Sequence, residues 1–522
     1  MLSKINSATL LGITPLEIIV EVNASKGLPK ETIVGLPDTV IKESKNRLKS
    51  AIKYSGFEYP LKDYVINLAP AEVKKEGPLL DLAIAVGILQ STTQLPSDSA
   101  AVFVGELSLD GSLNAVRGIL SICHYWMTNY PDTTIFIPAD NYQEVAILNH
   151  SKIVPISSLS QLKAYYDNEI IPYPKPTQAI SPTKAPFIDF KDIKGQLTAK
   201  RALMIAAAGN HNILLVGPPG AGKSMMVKAL TGILPPLSYE ELIDTYKIHN
   251  LISKTPTLQT KNDYPRPFRS PHHSISYAGL VGGGSYPKPG EISLAHHGVL
   301  FLDELPEFSK QLLEILRQPL EDKEILISRA SSAITYPANF MLVSAMNPCP
   351  CGYFGDLKKP CICHDSQVKN YWKRLSGPIL DRIDMTVTVD RLDKEDFFSE
   401  ETESPSPPKS SPYTTPKMAD LVSQARDLQT KRFGTSKTNH MMGPKDISTF
   451  CQLEDEGKEV LGNALEKGLL TGRSFHKVLK VARTIADLEA NITKGKEVTT
   501  PQLGLTHITE ALHYRNLQHS PL

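Results

Sequence analysis

The segment HNILLVGPPGAGKSMMVKALTGIL, residues 211–234, contains a short apolar run, a glycine-rich turn and a helix-forming stretch, in that order. Strand, loop and helix in this order are the context required of a phosphate-binding loop in a parallel α/β sheet. Glycines let backbone N–H groups close around phosphate oxygens, a lysine neutralises them, and a hydroxyl is a ligand for Mg²⁺. We therefore expect ATP and Mg²⁺ to bind at Gly217, Pro218, Pro219, Gly220, Ala221, Gly222, Lys223 and Ser224.

Two later apolar runs end in polar residues of the kind that an ATP site needs. GVLFLDE, residues 298–304, places Asp303 and Glu304 after a predicted strand, and residues 340–345 lead to Asn347. We expect Asp303 to hold Mg²⁺, Glu304 to polarise the attacking water and Asn347 to orient that water. The alternative is a buried strand that ends in two exposed acids by chance, and the phosphate-binding loop in the same chain argues against it.

Four motifs together resemble a known family. GPPGAGKS, GVLFLDELPEF, SAMNPCPCG and LSGPILDRID occur in this order and spacing, which resembles the magnesium-chelatase-like AAA+ ATPases of the YifB/ComM family over nearly the whole chain. The resemblance implies a hexameric ring in which Arg382 reaches the neighbouring subunit's site as an arginine finger, and in which Arg473 is the second sensor. The alternatives are an ion pair of Arg382 with Asp381 or Asp384, and a plain surface charge at Arg473.

The expected fold class is α/β. It comprises an AAA+ P-loop core, an amino-terminal Lon-protease-like domain and a carboxyl-terminal helical lid. Residues 171–187 carry five prolines and residues 403–417 read ESPSPPKSSPYTTPK, compositions that favour extended linkers over packed elements. The predicted parts are a Lon-like domain at 1–170, a linker at 171–187, the AAA+ core at 188–395, a Pro/Ser-rich linker at 396–420 and a helical magnesium-chelatase C-type domain at 421–522.

The Lon-like domain is expected to be inactive as a peptidase. Its resemblance rests on KKEGPLLDLAIAVGIL and FVGELSLDGSLNAVRGIL. A Lon-type peptidase needs a serine nucleophile and a lysine base. Leu79 and Leu120 stand where the resemblance places these two residues, so neither the nucleophile nor the base is present.

Two insertions in the core are candidates for contact with DNA. EILISRASSAITY, residues 324–336, resembles the pre-sensor hairpin that hexameric helicases project into their pore, with Arg329 near its tip. GLVGGGSYPKPGEISLAHHG, residues 279–298, fits the loop inserted in the second helix of this clade and carries Lys288. The alternative is a surface hairpin and a mobile loop whose charges meet only water. RPFRSPHHS, from Arg266 to Ser274, also belongs to the family pattern, but its residues do not indicate a role.

Four of the six cysteines fall within one short segment, residues 349–363. Cys349, Cys351, Cys361 and Cys363 form two C-x-C pairs, a four-thiolate set that suits a tetrahedral zinc site on a loop without a core of its own. The spacing differs from the C-x₂-C of zinc fingers. Reduced or redox-active cysteines are the alternative.

The net charge of +1, from 56 basic and 55 acidic residues, excludes a global basic field, so any DNA site must be local. The sequence has no membrane-length apolar run or signal-peptide pattern, and a cytoplasmic location is expected. The family resemblance implies an ATP-driven ring motor on single-stranded or branched DNA, a ComM-like helicase that promotes branch migration in recombination and natural transformation. A magnesium-chelatase-type ATPase that remodels a protein partner is the alternative, and a Lon-type protease is disfavoured by Leu79 and Leu120.

Overall fold

The computed structural model describes residues 2–72, 74–75, 77–169, 188–252, 265–284, 287–329, 332–356, 358–391, 413–490 and 502–515. The chain divides into two compact units, Met1–Thr183 with Tyr239–Tyr264, and Lys184–Ser238 with Pro265–Leu522. The described residues 239–252 therefore group with the first unit, although they lie inside the predicted 188–395 core. The predicted linker 171–187 lies outside the described residues, and the last part of the predicted linker 396–420 is helical from Thr415 onward.

The first unit is an α/β structure around a seven-stranded sheet. Its elements are β1 (Leu2–Leu11), β2 (Thr14–Ser25), β3 (Lys30–Val34), α1 (Thr39–Tyr54), β4 (Asp63–Ala69), α2 (Asp81–Ser91), β5 (Ala101–Phe103), β6 (Glu106–Leu107), β7 (Leu113–Asn114), α3 (Ile119–Asn129), β8 (Thr134–Pro138), α4 (Tyr142–Val145), β9 (Ile153–Ile156), α5 (Ser160–Tyr166) and the helix Tyr239–His249. The strand order is β3-β4-β2-β1-β5-β8-β9. Every residue of α2 is buried, and Gly87 lets this helix approach β2 closely, since a Cβ there would lie 2.5 Å from Val22 Cγ2.

Leu79 and Leu120 both lie in the first unit. Leu79 is half-buried in a short 3₁₀ helix, Pro78–Leu80, and Leu120 is fully buried in α3. Both side chains are hydrocarbon and supply neither a nucleophile nor a base. The absence of peptidase activity stays a prediction.

The second unit is built around a five-stranded sheet in which all pairs are parallel. Its elements up to residue 388 are α6 (Leu197–Gly209), β10 (Ile213–Val216), α7 (Lys223–Leu230), β11 (Phe268–Arg269), α8 (Tyr277–Val281), β12 (Gly282–Gly283), β13 (Lys288–Pro289), α9 (Glu291–Leu294), β14 (Val299–Leu302), α10 (Lys310–Ile315), α11 (Arg317–Asp322), β15 (Glu324–Arg329), β16 (Ser332–Pro337), β17 (Met341–Met346), α12 (Asp365–Trp372), α13 (Gly377–Leu380) and β18 (Met385–Thr388). The order β11-β14-β17-β10-β18 makes β17 the neighbour of both β10 and β14. Because parallel strands end at the same edge, the residues that follow β10, β14 and β17 meet there.

The carboxyl-terminal region is helical, as predicted. It contains α14 (Thr415–Phe433), α15 (Pro444–Phe450), α16 (Asp455–Glu466), α17 (Gly472–Glu489) and α18 (Leu505–His513), and its buried apolar residues share one core with α6 and the sheet. Gln429 Nε2 donates to Ala208 O at 3.0 Å and Arg426 Nη2 to Ala207 O at 2.8 Å, which satisfies carbonyls at the end of α6. Among the described residues, no helix combines the length and apolar character needed to cross a bilayer.

Candidate nucleotide site

The phosphate-binding loop leads from β10 into α7, which begins at Lys223. Gly220 and Gly222 have φ values of 78° and 85°, the left-handed region in which any other residue is strained. At Gly217 a Cβ would lie 2.2 Å from the carbonyl oxygen of Val389. The glycines thus permit the turn and let it pack against the residue that follows β18.

Lys223 lies buried under the loop. Its Nζ donates to Gly217 O at 2.6 Å, Pro218 O at 2.9 Å and Asn347 Oδ1 at 3.2 Å. Desolvation lowers the pKa of Lys223 to about 8, although the charge of Asp303 acts in the opposite direction. A buried ammonium held by carbonyl oxygens is ready to pair with phosphate oxygens, which offer it full negative charge.

Ser224 and Asp303 are in direct contact at the edge of the sheet. Ser224 Oγ donates to Asp303 Oδ2 at 2.6 Å, and Asp303 Oδ1 accepts a hydrogen bond from the backbone N–H of Glu304 at 3.0 Å. A hydroxyl and a carboxylate at this spacing match the oxygen ligands that Mg²⁺ takes beside a nucleotide. The structure therefore brings together two residues, Ser224 and Asp303, that lie far apart in the sequence.

Glu304 has an unexpected neighbour. Its backbone is left-handed, with φ of 53°, and its Oε2 lies 3.3 Å from Nδ1 of His273. His273 follows β11, which pairs with β14 in parallel, so both side chains extend from the same sheet edge. Sequence reasoning did not assign His273 a role. The available signal was its position after a short strand, in a segment with four cationic or titratable residues.

The two arginines of the same segment have packing roles. Arg266 donates to Pro235 O at 2.6 Å and to His297 O at 2.7 Å. Arg269 forms a two-pronged ion pair with Glu291, with both N–O distances at 2.6 Å. The segment Arg266–Ser274 thus has a partly structural role, since these contacts hold the turn in place beside β14.

Comparisons with known proteins agree with this geometry. Residues 189–397 match the family described as "Magnesium chelatase, subunit ChlI", residues 20–141 match "Subunit ChlI of Mg-chelatase" and residues 413–515 match "Magnesium chelatase, subunit ChlI C-terminal". The chain is 41% identical to YifB of Escherichia coli K12 over 98% of its length and 97% of that protein. The chain belongs to the YifB/ComM family of magnesium-chelatase-like AAA+ ATPases. It is 38% identical to the competence protein ComM of Haemophilus influenzae over 98% of its length and 97% of that protein. It is 28% identical to the magnesium-chelatase 38 kDa subunit of Rhodobacter capsulatus over 31% of its length and 51% of that protein.

Arg382 and Arg473 of this YifB/ComM chain line one cavity of about 450 Å³. None of the described residues around it belongs to the phosphate-binding loop. Arg382 Nη1 donates to Pro378 O at 2.7 Å, and Nη2 binds the carboxylate of Glu321. The ion pair considered with Asp381 or Asp384 is therefore replaced by one with Glu321. Nε of Arg382 is buried without a hydrogen-bond partner among the described residues.

The four cysteines of the YifB/ComM chain converge. The Sγ atoms of Cys349 and Cys351 are 3.3 Å apart, those of Cys351 and Cys361 3.5 Å, and those of Cys349 and Cys361 3.7 Å. Sγ of Cys363 belongs to the same cluster, within 4.8 Å of the others. Although desolvation acts to raise it, the pKa of Cys351 is lowered to about 6 by backbone N–H groups and neighbouring thiols. This group of four thiols could hold a metal ion.

The two candidate DNA elements are adjacent hairpins. β15 and β16 pair antiparallel up to Arg329 and Ser332, and β12 pairs with β13, which begins at the exposed Lys288. Tyr336 Oη donates to Pro287 O at 2.8 Å, so the hairpins contact each other. The residues between β15 and β16, and residues 285–286, lie outside the described part of the chain.

Proposed function

We propose that this protein is an ATP-hydrolysing ring motor that acts on DNA, a ComM-like helicase that promotes branch migration in recombination and natural transformation. The observation that carries the proposal is the contact of Ser224 with Asp303 beside Lys223 and Asn347. These side chains are of the kinds that bind the phosphates of ATP and its Mg²⁺ ion. The similarity to a competence protein over nearly the whole chain supports DNA as the substrate.

Each residue has a distinct task in the proposed hydrolysis. Glycine N–H groups and Lys223 would bind the phosphates, and Ser224 and Asp303 would hold Mg²⁺, which would supply positive charge beside the phosphate oxygens. Glu304 accepts a proton from the attacking water, which Asn347 orients. The Ser224–Asp303 hydrogen bond would break as both oxygens turn to the metal.

The active assembly is proposed to be a homo-hexamer. Arg382 and Arg473 share a cavity apart from the phosphate-binding loop of their own subunit. Two guanidinium groups in one cavity suit the phosphate oxygens of a nucleotide held by the next subunit. In this arrangement the Glu321 carboxylate leaves Arg382 when the nucleotide arrives.

The two adjacent hairpins are proposed to contact DNA. Lys288 and Arg329 would bind backbone phosphates in the pore of the ring. Contacts of this kind do not depend on the base sequence of the DNA. A cytoplasmic location and the five-part organisation set out from the sequence belong to the same proposal. The four cysteines are proposed to hold a structural Zn²⁺.

A chelatase-type ATPase that remodels a protein partner is the second candidate. It is favoured by the similarity to the magnesium-chelatase 38 kDa subunit, which covers 31% of the chain. Such a motor needs the same ATP site but no DNA contact at Arg329 and Lys288.

ATP turnover by the purified protein alone, with single-stranded DNA and with a four-way junction decides between these functions. Glu304→Gln is the matched control, because it keeps the side-chain shape and removes the proton acceptor. If DNA raises turnover, and junctions are resolved only with ATP and not by the variant, the helicase is supported. Hydrolysis without DNA binding or stimulation would remove the helicase proposal and leave the chelatase-type motor.

A further inference from the structure

We infer that a Zn²⁺ ion bound by the cysteine loop, residues 349–363, positions the nucleotide site, so that the metal controls ATP turnover without touching the nucleotide. A positioning role is more than the structural role proposed above for zinc, and it rests on the proposed ATPase function. The loop follows Asn347 directly and returns to the phosphate-binding loop at Pro219. Zinc is therefore assigned a positioning role.

Three of the sulfur–sulfur distances are close to those around one four-coordinate ion. Zinc–thiolate bonds of about 2.3 Å place the sulfurs of a tetrahedron about 3.8 Å apart, and the three Sγ–Sγ distances given above are 3.3 to 3.7 Å. Backbone N–H groups of Cys351, Phe354 and Cys363 donate to sulfur atoms of the cluster at 3.3 to 3.4 Å. Such bonds orient thiolates and spread their charge, which favours a metal site over four neutral thiols.

The loop has little apolar packing of its own to hold it. Ile362, between two of the cysteines, is 83% exposed, whereas Cys349 at the other end is fully buried. Trp372 is fully buried and donates from Nε1 to Pro348 O at 2.9 Å. The loop is thus anchored at its start, and the metal supplies the constraint for the remainder.

The first connection to the nucleotide site runs through Asn347. This residue lies two positions before Cys349, and its Oδ1 accepts a hydrogen bond from Lys223 Nζ at 3.2 Å. Because Cys349 is held both by burial and by the metal, the backbone at Asn347 has little freedom. The amide is then kept where it can orient the attacking water.

The second connection runs through Gly352. Its φ is 88°, and a Cβ there would lie 2.6 Å from Pro219 Cδ, 2.8 Å from Pro219 Cγ and 3.9 Å from Asn347 Cγ. The backbone of the cysteine loop therefore packs directly against the phosphate-binding loop. Without the metal the backbone at Gly352 is free to move. A displacement of about 1 Å at a reacting group lowers turnover by up to about 100-fold.

The first test measures metal content and turnover of the untagged full chain. Elemental analysis should find about one zinc per chain. Cys361→Ser combined with Cys363→Ser should lose the zinc and lower kcat by roughly 10- to 100-fold. Cys451→Ala, which removes a buried thiol outside the loop, should keep both. Circular dichroism checks that the loop variant is folded, and binding of a fluorescent ADP analogue is measured in parallel.

The second test separates the contact from the metal. Gly352→Ala should keep zinc but lower kcat by about tenfold or more, because its Cβ displaces Pro219. Gly468→Ala is the matched control, since Gly468 has a φ of 68° with nothing within 4 Å of an added Cβ. It likewise places an alanine at a positive φ and should leave kcat unchanged.

The outcomes are distinguishable. If the wild type contains iron or no metal, the zinc assignment is wrong. If the double cysteine variant and Gly352→Ala both keep the kcat and the ADP affinity of the wild type, the positioning role is wrong. If the wild type hydrolyses no ATP, the proposed function fails. The zinc content of the wild type and the ADP affinity of the two loop variants then still test whether the metal positions the phosphate-binding loop.

Discussion

Replacing Asp384 by asparagine should destabilise the second unit strongly, because this carboxylate is the centre of a buried polar cluster. Asp384 is 2% exposed. Its Oδ2 accepts from Asn212 N at 2.9 Å and from His440 Nδ1 at 2.7 Å, and its Oδ1 lies 3.2 Å from Lys477 Nζ. The cluster joins the start of β10 to the residue before β18 and to α17. The packing of the sheet against the helical lid therefore depends on the charge of the Asp384 carboxylate.

The expected loss follows from the charge that Asp384→Asn removes. The side chain keeps its shape, but the Lys477 ammonium loses its counter-ion while largely buried. Breaking a buried ion pair costs about 3 to 5 kcal/mol. Because Lys477 keeps 16% side-chain exposure, water compensates part of this, and the lower end, about 3 kcal/mol, is expected.

Urea unfolding on a Trp126→Phe background measures this loss. The chain has two tryptophans, and removing Trp126 of the first unit leaves Trp372, fully buried in the second, as the reporter. The matched control is Asp381→Asn, an exposed aspartate nearby whose change should stay within about 0.5 kcal/mol of zero. If Asp384→Asn unfolds within about 0.5 kcal/mol of this control, the argument from a buried counter-ion is refuted.

Three further predictions concern the same unit. Burial lowers the pKa of His440 to about 4, against the charge of Asp384, whereas an unfolded histidine has a pKa of about 6.5. Because the folded state favours the neutral imidazole, the full contribution to the free energy of unfolding is present above pH ~6.5. About 3 kcal/mol of this free energy should be lost as the pH falls to about 4. His440→Gln should flatten this dependence in urea titrations, and an unchanged slope would contradict it. ATP affinity should weaken as the pH rises through the Lys223 pKa of about 8, because the neutral amine no longer attracts phosphate. Titration with a fluorescent ATP analogue between pH 7 and 9 measures this affinity. A constant affinity over that range would contradict the role of Lys223. Leu479→Ala, in the core shared by α6 and α17, should cost about 3 kcal/mol. Calorimetry should show the lid and the sheet unfolding together, and a separate lid transition would count against a shared core.

The sequence by itself determined the local elements of this protein. The apolar runs 299–302 and 340–345 are strands at Val299–Leu302 and Met341–Met346, and the predicted hairpin 324–336 is formed by β15 and β16. The edge at which Asp303 and Asn347 follow their strands was also predictable. These features depend on residue patterns within one element and on the rule that parallel strands end on one side.

Only the tertiary structure decided which distant groups meet. It paired Arg382 with Glu321 instead of Asp381 or Asp384, brought His273 to Glu304 and grouped residues 239–252 with the first unit. It also set Gly352 against Pro219, 133 positions away by their numbers. Contacts of this kind depend on how whole helices and strands pack. Residue spacing predicts the element that carries a side chain, and the packing of the assembled core selects the partner that the side chain reaches.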